Sequence, residues 1–134
     1  MKILILFTVI LALIYSCSST SKRSTTTKET LQNEAVIIAN DSLEYEIIII
    51  DTGFKFYLNS IAKPANFYSQ SYYETKNKFY VTEWNSRAQN SLRYNNDIYE
   101  NVIDYNFNTN YGLDVNYKLY NYFKFVEYKY KEVF

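Results

Sequence analysis

The sequence predicts a small single α+β domain, mostly helical with a two-stranded sheet, behind a signal peptide and a flexible tether. Three observations support this prediction. An apolar leader comes first, and a stretch rich in Ser, Thr and Lys follows it. Beyond Asp41 lie almost all of the tyrosines and the only tryptophan. Strand-like and helix-like hydrophobic patterns then alternate along this aromatic part. We therefore expect a lipoprotein signal peptide (1–16), a lipid-anchored cysteine with its linker (17–41) and a Tyr-rich globular domain (42–134).

The leader has the pattern of a bacterial lipoprotein signal. Lys2 precedes an apolar run from Ile3 to Ile14, which is shorter than the ~20 residues of a membrane span and typical of a signal-peptide core. The following "IYSC" resembles a lipobox, in which Cys17 becomes the first mature residue and carries diacylglycerol and an acyl chain such as palmitate. An ordinary cleaved leader with a chance cysteine is the alternative. Acyl chains at one end would hold the protein on a membrane.

The linker bears on location. Its polar composition from Ser18 to Asn40 is typical of a flexible tether, and the apolar patch Ala35–Ala39 is too brief to be counted as an element. No acidic run follows Cys17, which favours the periplasmic side over surface export. We therefore expect a lipid anchor in the outer membrane of a Gram-negative bacterium, with the domain on the periplasmic side.

The first strand and helix of the domain are clearly marked. "EYEIIIID", Glu44–Asp51, has four β-branched residues in a row, which suits a strand covered on both faces. Phe54–Ala62 has apolar residues at helical spacing and is bounded by Lys63-Pro64. Asp51 lies between the two and is expected to act as a helix N-cap rather than as a catalytic carboxylate.

A second helix is predicted to begin with a capping box formed by Ser71 and Glu74, and to run to about Asn90. Its buried stripe comprises Tyr73, Tyr80, Trp84 and Ala88, with Phe79 beside it.

The remaining segments are less clear in pattern. Ile98–Tyr105 alternates and is predicted to be the second strand, pairing with the first. The run Leu113–Phe134 combines a helical stripe with strand-forming residues. Its length favours a helix that is central to the fold or meets a partner.

Four segments together resemble a small lipoprotein family of the Bacteroidota, a domain of unknown function. They are "YEIIIIDTGF", "YSQSYYETKNKFYVTEWNSR", "RYNNDIYENVIDYN" and "YGLDVNYKLYNYF", and they cover the domain from Tyr45 to Phe123. The resemblance implies a membrane-anchored envelope protein. It brings no activity and no catalytic residues.

Composition excludes several kinds of chemistry. The chain has no histidine, so histidine-based acid–base catalysis and His-ligated metal sites are ruled out. The two glycines cannot form a phosphate-binding loop, and an acylated Cys17 supplies no thiol. Basic and acidic residues balance at 14 each, so nothing points to nucleic acid. We expect no cofactor and no metal, and the sequence favours a binding protein over an enzyme.

A candidate ligand site surrounds the only tryptophan. Trp84 and nearby tyrosines would form an aromatic platform, with polar neighbours as hydrogen-bonding groups. The predicted set is Tyr73, Glu83, Trp84, Asn85, Arg87 and Tyr94. The alternative is that Trp84 fills the core and its polar neighbours form the solvated edge.

Three functions follow from these patterns. The first is a non-catalytic protein-interaction or assembly factor, the second a glycan- or peptidoglycan-binding module, and the third a carboxylate-dependent hydrolase. For the hydrolase, Glu100 and Asp104 would lie ~13 Å apart on one face of a strand, too far to act directly as a pair.

Overall fold

The structure, a computed structural model, describes residues 35–134. These form a small α+β domain with a two-stranded antiparallel sheet and three helices, as the sequence predicts. The predicted signal peptide, Cys17 and most of the predicted linker lie outside the described residues.

The sheet is a hairpin of β1 (Val36–Asn40) and β2 (Tyr45–Ile49), joined through a short 3₁₀ turn. Val36 lies opposite Ile49, and Asn40 lies opposite Tyr45. The predicted strand at Glu44–Asp51 is confirmed as β2, but its partner is β1. The last residues assigned to the linker therefore belong to the folded domain, because pairing stabilises a strand that is too short to be recognised alone.

The sheet is covered on one face only. Ile38 and Ile49 are buried in the core, whereas Ile37 and Ile48 are more than half exposed and lie opposite each other on the outer face. The expectation that β2 is covered on both faces is wrong, since side chains alternate between a packed and a solvated face.

Helix α1 (Phe54–Ser60) follows a tight turn at Gly53, whose φ of 96° favours glycine. Phe54 and Tyr57 fix the helix to the core. Asp51 is not a side-chain N-cap: its backbone oxygen accepts from the Phe54 amide, while its carboxylate accepts from Lys129 and the Tyr130 hydroxyl.

Helix α2 (Gln70–Ala88) is capped by Ser69, whose side chain accepts from the Tyr72 amide at 3.2 Å. The predicted capping box at Ser71 is therefore wrong by two residues. Tyr73 and Tyr80 are buried as predicted, whereas Phe79 is 59% exposed.

Helix α3 (Gly112–Tyr130) is the centre of the domain and confirms the predicted C-terminal helix. It packs against α2, β1 and α1. Its fully or almost fully buried residues lie on the predicted stripe and beside it: Val115, Leu119, Phe123, Phe125 and Val126.

Ile98–Tyr105 is not a strand. This segment has no regular secondary structure, and α2 holds it through side chains instead. Trp84 Nε1 donates to the Asn101 carbonyl at 2.8 Å. Asn85 donates to the Ile103 carbonyl and accepts from the Ile103 amide, at 2.9 and 2.7 Å. An asparagine side chain thus takes the backbone bonds that a neighbouring strand would have made.

A buried asparagine pair joins α2 to α3. Asn77 Nδ2 donates to the Asn116 carbonyl and side-chain oxygen at 2.9 and 3.2 Å, and both residues are fully buried. Asn116 Oδ1 also accepts from the Tyr105 hydroxyl at 2.5 Å. Polar contacts therefore lie inside a mostly aromatic interface.

Candidate functional site

A groove with a volume of about 940 Å³ runs beside β2. One wall is β2 with its flanking residues, 44–52, and the other is the segment 97–104, which we call the wall segment. No residue of β1 lines it, and the sheet has two strands, so the groove follows the edge of β2 that has no strand beside it. We call this site the β2 groove.

The base of the β2 groove is aromatic and apolar. Trp84 and Leu119, 3% and 0% exposed, contribute from α2 and α3 together with the half-buried Tyr122. At one end lies Tyr45, whose hydroxyl is buried and has no hydrogen-bond partner among the described residues. Burial raises the pKa of the Tyr45 phenol, and Tyr111 and Asp104 raise it further. This hydroxyl is therefore a neutral, buried polar group beside the groove.

The walls are strongly acidic. Among the lining residues in the range 35–134, Lys129 is the only cation, and it is paired with one of the acids, Asp51. The other acidic residues are exposed and make no ion pair with any residue in the range 35–134. The six lining carboxylates belong to Glu44, Glu46, Asp51, Asp97, Glu100 and Asp104. Since the whole chain has a formal net charge of zero, the groove concentrates negative charge on one side of the domain.

The wall segment is held rigidly from behind. Trp84 and Asn85 hold its residues 101 and 103 through hydrogen bonds to their backbone. Arg87 holds Tyr99, because Nη1 donates to the Tyr99 hydroxyl at 2.8 Å. No backbone hydrogen bond joins β2 to the wall segment anywhere in the described chain. The two walls are therefore separate, and each is fixed by its own contacts.

Of the six predicted site residues, the structure buries three in the core and leaves the other three partly buried. Trp84 packs its ring against Tyr99, Tyr122 and Phe123 at centroid distances of 4.9 to 5.9 Å. It reaches the β2 groove only as part of the base, which agrees with the alternative that Trp84 fills the core. Tyr73 is 1% exposed and packs against other tyrosines of α2 and α3.

Arg87 forms a structural clamp. Its guanidinium donates to Glu83, Tyr99 and Glu132 and to the Val133 carbonyl, at 2.6 to 3.0 Å. Burial alone would lower the pKa of Arg87, but the hydrogen bonds to Glu83 and Tyr99 outweigh it and raise the pKa. The clamp joins α2, the wall segment and the last residues of the chain.

Of the remaining predicted residues, Tyr94 packs its ring under the Arg87 guanidinium and against Tyr99. Asn85 is occupied by the Ile103 backbone. Five of the six predicted residues are thus brought together as the support behind the wall segment, whereas Tyr73 lies apart from them, among other tyrosines. Whether these residues contact a ligand stays a prediction.

Sequence reasoning missed the β2 groove itself. From the sequence, Glu100 and Asp104 are considered only as a catalytic pair, and Asp51 only as a cap or a catalytic carboxylate. The useful signal was the number of acidic residues beside the two alternating segments, Glu44–Asp51 and Ile98–Tyr105. It became meaningful only when both segments were seen to line one cavity.

Residues 35–134 hold neither a metal-binding cluster nor a membrane-spanning helix. No group of three or more acidic, cysteine or histidine side chains is arranged to hold a metal ion there. No helix in that range is long and apolar enough to cross a membrane.

Comparison with known proteins gives a family and no activity. No curated protein and no solved structure matches the chain. One family model matches residues 3–133, described as a family of unknown function (DUF6146). The predicted resemblance to a family without assigned activity is confirmed, while its lipoprotein and Bacteroidota character stays a prediction. The chain belongs to the family of unknown function DUF6146.

Proposed function

We propose that this chain is a non-catalytic, lipid-anchored protein of the cell envelope that binds a partner protein through the β2 groove. The observation that carries the proposal is the acid-lined groove beside an unpaired strand edge. An unpaired edge presents free backbone donors and acceptors, and the aromatic base supplies apolar area. Together they give the two components of a protein interface.

The location belongs to the same proposal. The apolar leader and "IYSC" support lipidation of Cys17, and the polar residues after it support a tether long enough to hold the domain off a membrane. The absence of an acidic run after Cys17 supports the periplasmic side of the outer membrane. A tethered domain would recruit its partner to the membrane surface.

Affinity capture with groove variants tests the binding function. Val102 lines the groove and is 55% exposed, so Val102→Arg should block the groove without removing core packing. Leu92→Arg is the matched control, because Leu92 is fully exposed and does not line the groove. Detergent extracts should yield the same partner with the parent chain and with Leu92→Arg, and lose it with Val102→Arg. Equal capture by all three, or no partner with any of them, would refute the proposal.

The anchor is tested separately. Cys17→Ser should give unlipidated protein that keeps its leader or is released from the membrane fraction. Metabolic labelling with an alkyne fatty acid followed by fractionation measures both effects. A variant that is labelled and fractionates like the parent would exclude Cys17 as the lipid-attachment residue.

A glycan-binding function has a weaker candidate site away from Trp84. A second cleft, of about 410 Å³, is lined by Phe107 and by amide side chains that include Gln70 and Asn110. Phe107 is 46% exposed, and an exposed ring beside amides suits a sugar. Retention on purified sacculi should fall with Phe107→Ala and not with Phe56→Ala, which removes another exposed ring. Equal retention of both variants would exclude this cleft.

A further inference from the structure

We infer that the β2 groove binds its partner by β-strand addition: a basic, extended segment of the partner protein pairs with the free edge of β2. This inference rests on the proposed function and specifies the chemistry of the partner. The groove is bounded by β2 on one side and by the wall segment on the other, with no backbone bond between them. An incoming strand therefore finds both an edge to pair with and a wall opposite it.

The length and direction of the groove fit a strand. All five residues of β2 and the residues flanking it line the groove, and five residues of strand span about 17 Å. In an antiparallel sheet every second residue of a strand directs its N–H and C=O to one edge. Because β1 takes one edge of β2, the backbone groups of the alternate residues point to the groove.

The sheet's two faces set the pattern of side chains that the segment needs. Ile47 and Ile49 face the interior, whereas Glu46 and Ile48 face solvent. A strand added beside β2 continues this alternation. One set of its side chains would therefore lie over the apolar base formed by Trp84, and the other set would lie on the outer face beside Glu46.

Charge selects basic residues for the outer set. Five of the lining carboxylates are exposed and unpaired with any described residue, and the lone lysine of the groove is already engaged by Asp51. A lysine or arginine at every second position would meet these carboxylates, which are Glu44, Glu46, Asp97, Glu100 and Asp104. The partner segment is thus an alternation of basic residues with Val, Thr or similar residues, without proline.

Peptide binding to the full chain tests this inference. The probe is a labelled peptide of sequence KVKTKVK, and its control is KKKKVVT, which has the same composition and charge without alternation. Fluorescence anisotropy should show the probe binding at least tenfold more tightly than the control, because only alternation separates the apolar set from the basic set. Equal binding would reduce the interaction to non-specific charge attraction and overturn strand addition.

N-methylation distinguishes strand pairing from other modes of binding. Methylating the Val and Thr amides removes the donors on one edge of the peptide, and methylating the Lys amides removes those on the other. One of the two methylated peptides should lose binding and the other keep it. In parallel, hydrogen exchange measured by NMR should slow at alternate amides of Tyr45–Ile49 and stay unchanged in α1. Equal effects of the two methylations, or no protection in β2, would overturn the inference.

Groove charge is tested with a triple variant, Asp97→Asn, Glu100→Gln and Asp104→Asn. It should bind the probe about tenfold more weakly, as three partly exposed charge contacts are lost. The control is Asp114→Asn, an exposed acid of α3 that does not line the groove, and it should bind like the parent. If the acids serve only to prevent edge-to-edge association, the triple variant would self-associate and the parent would not bind the probe, which would overturn the inference.

Two further results separate this inference from the proposed function. If KVKTKVK fails to bind while Val102→Arg still abolishes partner capture, the groove binds a partner by another mode and strand addition is wrong. If the probe fails and capture is also unaffected, both proposals fall.

A chain carrying Lys22→Glu, Arg23→Glu and Lys28→Glu should bind the probe like the parent. Tighter binding would assign the groove to the chain's own basic segment and overturn the assignment to a partner.

Discussion

Replacing the buried Arg87 by methionine is expected to destabilise this domain strongly. The methionine keeps an unbranched side chain in place and removes the guanidinium. That group donates to Glu83 at 2.8 Å, to the Tyr99 hydroxyl at 2.8 Å, to Glu132 at 3.0 Å and to the Val133 carbonyl at 2.6 Å. All four acceptors lose their donor at once.

The expected cost follows from how deeply each partner is buried. Removing one member of a fully buried ion pair costs about 3–5 kcal/mol. Here the guanidinium side chain is 10% exposed, but the side chains of Glu83 and Glu132 are 38% and 29% exposed. Water therefore replaces part of the lost interaction at both carboxylates. The Tyr99 hydroxyl keeps Glu132 as a partner. We expect the free energy of unfolding to fall by about 2–3 kcal/mol.

Urea unfolding followed by tryptophan fluorescence measures this loss. Trp84 is the only tryptophan, and its ring lies 4.9 Å from that of Tyr99. With an m-value of about 1.5 kcal/mol per M urea, the midpoint should fall by about 1.3–2 M. Arg93→Met is the matched control, because Arg93 is exposed and stacks on Tyr94, so it should cost less than about 0.5 kcal/mol. If Arg87→Met stays within that same limit, or if both variants lose equally, the clamp does not stabilise the fold.

Three other perturbations have defined outcomes. Asn85→Ala should cost about 2 kcal/mol of unfolding free energy and speed hydrogen exchange at the Ile103 amide, because both backbone groups of Ile103 lose their partner. Gly53→Ala should cost about 1–2 kcal/mol by thermal unfolding, from backbone strain at φ 96° rather than from a clash. Burial raises the pKa of Tyr99 and of Tyr105 to about 12. These folded-state values exceed the unfolded value of about 10, so the unfolded chain loses its phenol protons first as the pH rises. The contribution of the two tyrosines to the free energy of unfolding, measured in urea, should be fully present below pH 10 and be lost between about pH 10 and 12.

Each of these predictions has a control. Asn90→Ala alters an exposed asparagine just after α2 and should leave exchange at the wall segment unchanged. Gly53→Asn should cost less than Gly53→Ala, since asparagine tolerates positive φ better. Tyr99→Phe should reduce the stability lost above pH 10, whereas Tyr128→Phe, at a 55% exposed residue, should not. Equal effects within any pair would contradict the corresponding structural reason.

Local pattern predicted the helices well because their apolar residues face one core. In α3 the spacing of Val115, Leu119 and Val126 decides for a helix over the competing strand pattern, and all three are buried. The exact start of α2 was missed by two residues, because Ser69 and Ser71 are both capable caps. Only the backbone geometry, which is extended at Ser69, decides between them.

Strand pairing was harder to predict, because it depends on residues far away in the sequence. Ile98–Tyr105 alternates like a strand, yet Asn85 and Trp84 satisfy its backbone. The sequence of the segment itself gives no indication of these contacts from α2. Val36–Asn40 is the opposite case, a strand that its own sequence does not predict. It is short and follows a polar stretch, and it is a strand because it pairs with β2. The β2 groove arises where both effects meet, so it could not be predicted from either segment alone.

The asparagine pair between α2 and α3 affects how many alignments the two helices can adopt. Aromatic rings such as Tyr80 and Phe123 adapt to several neighbours, so a largely aromatic helix interface could slide by one turn with little change in buried area. Asn77 Nδ2 reaches the carbonyl and side-chain oxygen of Asn116 in one alignment only, and a shift of one turn would leave the Asn77 amide group buried without a partner. The pair therefore favours one alignment of the two long helices over alignments shifted by a turn. Replacing both residues with leucine is expected to keep the helices and loosen their alignment, which would broaden the NMR signals of the aromatic rings between them.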